Sequence, residues 1–201
     1  MVRITLPVRQ EAMMTKSLIT NLLLFQLGWF ACVLGGAYDQ VLIGSMVAIA
    51  VIAYHMYRAT DTLLELRLLT LALIIGLVYE SIVTSQGLAR YSHGQVSDLI
   101  APLWIILMWP LFATTLNLSM RWLKGLAPLL IALIGALFAP LAYYSGNRLG
   151  AVEYDYFILS MGIIAIAWAV LLPALVTISL KLDGYNISPN KPDSREQPQY
   201  V

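Results

Sequence analysis

Glu80 is the only carboxylate predicted to lie well inside an apolar segment of this 201-residue chain. Its segment, residues 67–87, is otherwise dominated by Leu, Ile and Val. Because burying an ionised carboxylate in hydrocarbon is expensive, such an acid must be protonated, paired or in contact with water. Acids in this position commonly carry protons or contact substrates. Glu80 is therefore the leading candidate for a catalytic residue.

Two further candidates are predicted near the level of Glu80. Arg148 ends the fifth apolar segment, and Tyr143 stands one turn earlier, where aromatic side chains mark a membrane interface. In an enzyme, Glu80 would carry the proton and Arg148 would position an anionic group, with Tyr143 contacting the substrate. The alternative is a purely structural ion pair between Glu80 and Arg148, and the sequence leaves both possibilities open.

A second set of polar residues lies around the fourth apolar segment. Pro110, Thr114, Asn117 and Arg121 follow a 4, 3, 4 spacing, so they form one stripe if the helix is continuous. Such a stripe suits a cavity or a lipid-headgroup site, and it equally suits hydrogen bonds between helices. Gln26, in the first segment, is likewise either a substrate contact or an interhelical hydrogen-bonding residue.

The other reactive side chains suggest no metal or cofactor. A single cysteine, Cys32, excludes an intrachain disulfide and a cysteine-based zinc site. Gly28, Cys32 and Gly36 share one helix face, which favours close helix packing. His55 and His93 are predicted on opposite sides of the membrane and cannot easily share a metal. No motif for a cofactor, a catalytic nucleophile or nucleic-acid binding is present.

The composition shows which elements must position these residues. Hydrophobic residues make up 60% of the chain and charged residues only 11%, against about 25% in soluble domains. A segment of about 20 apolar residues spans a bilayer, and its backbone must then be helical. We therefore predict an all-α polytopic membrane bundle of six transmembrane helices, at residues 17–37, 41–57, 67–87, 99–118, 127–145 and 156–180.

The placement of basic residues predicts the orientation of this bundle. All but Arg90 and Arg148 of the 12 basic residues fall in the N-terminal arm, the second and fourth connections and the tail. Because cytoplasmic loops are enriched in Lys and Arg, both termini are predicted to be cytoplasmic.

Three regions follow: an N-terminal arm (1–16), a six-helix domain (17–182) and a disordered tail (183–201). Translation could start at Met1, Met13 or Met14.

Three stretches carry a resemblance to a known family. They are NLLLFQLGWFACVLGGA (residues 21–37), PLWIILMWPLFATTLNLSMRW (residues 102–122) and PLAYYSGNRLGAV (residues 140–152). Together they resemble a bacterial inner-membrane family known as domain-of-unknown-function family 2878. The resemblance implies a multi-pass protein of the cytoplasmic membrane, and it implies no activity or ligand.

The leading functional hypothesis is that the protein binds or modifies a lipid, a quinone or another hydrophobic small molecule. One alternative is a small transporter that couples to protons through Glu80. The other is an accessory or assembly subunit that binds a membrane-protein partner. Whether the protein is an enzyme stays open at this point.

Overall fold

The fold is all-helical in the computed structural model, which describes the backbone of residues 8–185 and the side chains of residues 15–185. In that part of the chain the elements are α1 (Val8–Ala37), α2 (Val41–Arg58), α3 (Thr62–Ser85), β1 (Arg90–Tyr91), α4 (Leu103–Leu116), the 3₁₀ helix η1 (Arg121–Gly125), α5 (Pro128–Arg148), β2 (Val152–Glu153) and α6 (Phe157–Lys181). Five of the helices are long and apolar enough to cross a membrane. The chain is thus a multi-pass helical membrane protein, as its composition predicted.

Helix α1 begins earlier than predicted, at Val8 rather than at residue 17. Residues 8–16 of the predicted arm therefore continue the first helix. Residues 1–7 of that arm, and residues 186–201 of the predicted tail, lie outside the described residues.

The connections gather at two ends of the bundle. At the first, which we call the β end, β1 pairs antiparallel with β2 and so joins the α3–α4 connection to the α5–α6 connection. At the opposite end, the α2–α3 connection contacts the chain beyond α6: the backbone N–H groups of Thr60 and Asp61 both donate to Gly184 O. We call this second end the basic end, because Arg58, Arg67 and Lys124 lie there.

Helix α4 is shorter than the predicted span. It has 14 residues and is therefore about 21 Å long, whereas a bilayer core is about 30 Å thick. Helix α4 is also the most enclosed element, with side chains buried around its whole circumference. After Leu116 the chain turns into η1, so the fourth segment is a central buried helix with a folded extension.

The small-residue face of α1 packs against α4, as its spacing predicted. A Cβ atom added to Gly28 would lie 2.8 Å from the Leu111 side chain, and one added to Gly36 would lie 2.6 Å from the Trp104 ring. Cys32, between them, is fully buried and its Sγ lies 3.6 Å from Gly44 O of α2. These residues let α1, α2 and α4 form one tightly packed layer.

Helices α5 and α6 form a hairpin that contacts the other helices at few points. Gly135 makes the hairpin tight, because a Cβ there would lie 2.3 Å from Trp168 O. The space between this hairpin and the α1–α4 layer is only partly filled. That space forms a cavity, and Glu80 lies on its wall.

Candidate functional site

The carboxylate of Glu80 is fully buried and is held by three hydrogen-bond donors. Trp109 Nε1 donates to Oε1 at 2.9 Å, and the Tyr143 hydroxyl donates to the same oxygen. The Tyr91 hydroxyl donates to Oε2 at 2.9 Å. A carboxylate has about four acceptor positions. One position on Oε2 is therefore left for a proton or for a donor on a ligand.

Each donor reaches Glu80 from a different element, and the local sequence explains how. Gly76 lies one turn before Glu80 on α3, and a Cβ there would lie 2.2 Å from Trp109 Cγ. The missing side chain lets the Trp109 indole lie against α3, directly beside the next turn. Tyr91 is placed by the pairing of β1 with β2, and Tyr143 extends from α5.

The cavity beside Glu80 has a volume of about 530 Å³ and a mostly aromatic wall. Most of its lining comes from α1, α4, α5 and α6, and it includes Phe25, Trp29, Trp104, Trp109, Phe112, Phe138, Tyr143 and Trp168. Trp109 and Trp168 stack with ring centroids 5.0 Å apart, and Phe112 meets Trp168 edge to face. Phe138 and Trp122 line the cavity and are 60% and 56% exposed, so the cavity reaches the surface of the bundle.

Two donors on the cavity wall have no hydrogen-bond partner among residues 15–185. They are the Trp168 indole N–H and the Tyr154 hydroxyl, and both atoms are buried. An unpaired buried donor costs about 1–3 kcal/mol. A bound molecule with an acceptor oxygen near this wall would relieve that cost.

Tyr91 and Tyr154, which lie outside the spanning helices, are held in their neutral, proton-donating form. Burial raises the pKa of Tyr91 well above its usual value of 10.0, and the charge of Glu80 raises it further. Burial, followed by the charge of Glu80, likewise raises the pKa of Tyr154. Both hydroxyls therefore remain donors throughout the physiological pH range.

The structural alternative left open by the sequence, an ion pair between Glu80 and Arg148, does not form among the described residues. Arg148 is exposed at the end of α5 and, together with Gln26 of α1, lines a neighbouring, more superficial pocket that shares Phe25, Trp29 and Ala142 with the cavity but does not include Glu80. Two tyrosines and a tryptophan occupy the positions around Glu80 that the guanidinium would need. The structure thus brings Glu80 together with Tyr143 and separates both from Arg148 and Gln26.

The predicted stripe along the fourth segment is also wrong, because α4 ends at Leu116. Thr114 is buried and its hydroxyl donates to Leu111 O one turn back. Asn117 caps the helix end, and Arg121 lies in η1 with its Nη2 2.7 Å from Asp183 Oδ1. These three candidates therefore face structural partners and do not line the cavity beside Glu80.

A second buried carboxylate, Glu65, was missed at the sequence level. It is fully buried at the basic end, where Oε1 accepts from Asn117 Nδ2 at 2.5 Å and from the Gly184 backbone N–H at 3.1 Å. Its Oε2 lies 3.0 Å from Nε2 of the buried His55. Glu65 therefore joins α2, α3, the end of α4 and the chain beyond α6.

The network extends from Asn117 to the ion pairs of the basic end. Lys124 Nζ donates to Asn117 Oδ1 at 2.5 Å and to Asp183 Oδ2 at 2.9 Å. Burial lowers the pKa of Lys124, and the hydrogen bond and charge of Asp183 act in the opposite direction. Gly184 permits this arrangement, because a Cβ there would lie 2.3 Å from Asp61 O.

Glu65 was not predicted as a site residue because the third helix starts earlier than the apolar segment that was used to predict it. The helix begins at Thr62, capped by the Asp61 side chain that accepts from Leu64 N, and not at Arg67. Asp61 before Thr62 is a recognisable helix-start signal, and it would have placed Glu65 in the first turn.

The model of a family described as "Protein of unknown function (DUF2878)" matches residues 18–174. The chain belongs to the DUF2878 family. The match confirms the resemblance stated from the three sequence stretches, and it includes both Glu65 and Glu80. No curated protein and no solved structure matches this DUF2878 chain.

Proposed function

We propose that this DUF2878 protein binds a hydrophobic small molecule, such as a lipid or a quinone, in the cavity beside Glu80. The observation that carries the proposal is an aromatic cavity of about 530 Å³ that contains a fully buried carboxylate. Ligand sites typically have volumes of about 300–1,000 Å³, apolar walls and a few convergent polar groups. This cavity has all three properties.

The ligand's apolar part would lie along the aromatic wall and reach the cavity through the side of the bundle. Phe138 and Trp122, which are both exposed and line the cavity, mark that lateral entry. In a multi-pass protein such a side entrance opens toward the hydrocarbon of the bilayer. The site is therefore suited to molecules that dissolve in the membrane.

The ligand's polar part would lie between Glu80 and the two unpaired donors. The free acceptor position on Glu80 suits a hydroxyl of the ligand, while Trp168 N–H and the Tyr154 hydroxyl suit a carbonyl or ether oxygen. If the ligand is chemically changed, Glu80 is the group placed to carry a proton. A hydroxylated or carbonyl-bearing head on an apolar body meets these requirements.

We further propose that the protein lies in a bacterial inner membrane with both termini in the cytoplasm. The basic residues support this orientation, since Arg58, Arg67 and Lys124 all lie at one end of the bundle.

Ligand binding can be tested by fluorescence and by extraction. A short-chain quinone and a short-chain phospholipid would be titrated separately into the detergent-solubilised protein, with tryptophan fluorescence as the signal. Because Trp109 and Trp168 stack on the cavity wall, a bound quinone should quench them. In parallel, molecules retained through purification would be extracted and compared by mass spectrometry with the bulk membrane extract.

The variants are Glu80→Gln, which alters the polar contact, and Ala139→Leu, which narrows the cavity. Both should weaken binding by about tenfold or more, which corresponds to about 1.4 kcal/mol. Arg148→Gln, outside this cavity, is the matched control and should bind like the unmodified protein. Equal binding by all four proteins, with no molecule enriched on extraction, would exclude the proposal.

A further inference from the structure

A second pocket, of about 270 Å³, lies between α1 and α2 at the basic end. Its polar lining on α1 is Lys16, Ser17, Thr20 and Asn21, and on α2 it is Tyr54, His55 and Arg58. Leu24, Val51, Leu118 and Tyr185 close its inner side. It shares no lining residue with the cavity beside Glu80.

The two cations of this pocket have no ion-pair partner among residues 15–185. Lys16 and Arg58 are both exposed, and neither forms an ion pair with residues 15–185. No Asp or Glu belongs to the lining of the pocket in the described region. Elsewhere at the same end, Arg121 and Lys124 are both paired with Asp183. The two cations of the pocket are therefore available to an external anion.

The inner wall of the pocket also contains an unpaired polar atom. His55 is 3% exposed, and its Nδ1 has no hydrogen-bond partner among the described residues. Its other ring nitrogen, Nε2, lies against Glu65. The His55 ring therefore has one unpaired nitrogen among the residues that line the pocket.

We propose that this pocket binds a phosphate group. Two cations and the hydroxyls of Ser17, Thr20 and Tyr54 form a donor set that suits the several acceptor oxygens of a phosphate monoester or diester. The unpaired His55 Nδ1 belongs to the same lining. The apolar inner wall and the position at the ends of two spanning helices suit the headgroup of an anionic phospholipid. A soluble organic phosphate would use the same donors without the apolar wall.

The C-terminal residues link this pocket to the Glu65 network. The Tyr185 hydroxyl donates to His55 O at 2.5 Å, and the Tyr185 and His55 rings lie 4.7 Å apart. Tyr185 therefore lines the phosphate pocket and directly follows Gly184, whose backbone N–H donates to Glu65.

The test compares two double variants that change the net charge equally. Lys16→Gln with Arg58→Gln removes the cations of the pocket. Arg67→Gln with Lys181→Gln is the matched control, because both residues are exposed basic side chains at the same end and neither lines the pocket. The two double variants must change the net charge equally, because any Lys or Arg near an anionic lipid surface strengthens lipid binding even without a specific site.

The measurement is the apparent dissociation constant by native mass spectrometry of the full chain in micelles of a non-ionic detergent that contains no phosphate. The probes are phosphatidylglycerol, glycerol 3-phosphate and inorganic phosphate. We expect phosphatidylglycerol to bind with about one equivalent, and the pocket variant to weaken it by about tenfold or more while the control changes it less than about twofold. Thr20→Val, which removes a hydroxyl and keeps the shape, should weaken binding by a smaller factor.

Each outcome has a defined meaning. Tight phosphatidylglycerol binding that soluble phosphates do not displace assigns the site to a lipid headgroup. Binding of glycerol 3-phosphate or inorganic phosphate with the same dependence on Lys16 and Arg58 assigns it to a soluble phosphate. Equal weakening in both double variants, or no weakening in either, overturns the proposal. The cavity beside Glu80 is not involved, so its ligand can be absent or present independently.

Discussion

Replacing Glu65 by Leu should destabilise the protein strongly, although it removes a buried charge. The substitution leaves the Gly184 N–H and His55 Nε2 without their acceptor, while the Asn117 amide keeps a second acceptor, Leu182 O, at 2.9 Å. Each buried polar group left without its hydrogen-bond partner costs about 1–3 kcal/mol, and the substitution leaves two such groups. We expect a loss of about 2–6 kcal/mol.

The thermal midpoint in detergent, followed by tryptophan fluorescence, measures this loss. For a chain of this size 1 kcal/mol shifts the midpoint by about 2–4 °C, so the expected decrease is about 4–24 °C. Glu65→Gln keeps an acceptor for Asn117 and Gly184 and should lose less than half as much. Glu153→Leu is the control, because Glu153 is 72% exposed and its contact with Arg90 contributes little. A midpoint for Glu65→Leu equal to or above that of the unmodified protein would refute the reasoning.

Two further predictions concern Gly76, which lets Trp109 approach Glu80, and the tyrosines of the β end. Gly76→Ala should lower the free energy of unfolding by about 1–3 kcal/mol, because the added Cβ would overlap Trp109. Gly162→Ala is the control: its Cβ would meet open space, so the change should be neutral or stabilising by up to about 1 kcal/mol. Chemical denaturation of both variants measures the difference. Above about pH 10, stability should fall as pH rises. The folded-state pKa values of Tyr91 and Tyr154 are raised, so these tyrosines lose their protons first in the unfolded chain. Replacing either with Phe should reduce the decrease in melting temperature between about pH 9.5 and 11, and an unchanged slope would contradict this assignment.

The sequence identified Glu80 as a candidate site residue but did not identify its hydrogen-bond partners. Its type and position within an apolar segment were enough to mark it as the principal candidate, because an acid in hydrocarbon must have a special environment. Its partners could not be predicted, since Tyr91, Trp109 and Tyr143 come from three elements separated along the chain. Only the pairing of β1 with β2 and the close approach at Gly76 bring them together.

Glu65 shows the opposite case. Nothing about a glutamate near the start of a helix distinguishes a solvated side chain from a buried one. Its burial depends on the chain beyond α6 folding back, with Gly184 close to Asp61 and Asp183 paired with Lys124. Lys124 and Asp183 are 59 positions apart and Glu65 and Gly184 are 119 positions apart, so local sequence patterns do not indicate these contacts.

The sequence alone determined that the chain crosses a membrane through helices, because apolar length and the need for internal backbone hydrogen bonds act within each segment. It also determined that the face of α1 formed by Gly28, Cys32 and Gly36 packs closely, because that face follows from helical spacing. The tertiary structure decided that α4 is a short buried helix and that Arg148 lies apart from Glu80. The tertiary structure also determined the cavity, because the cavity is the space beside α1 and α4 that the α5–α6 hairpin does not fill.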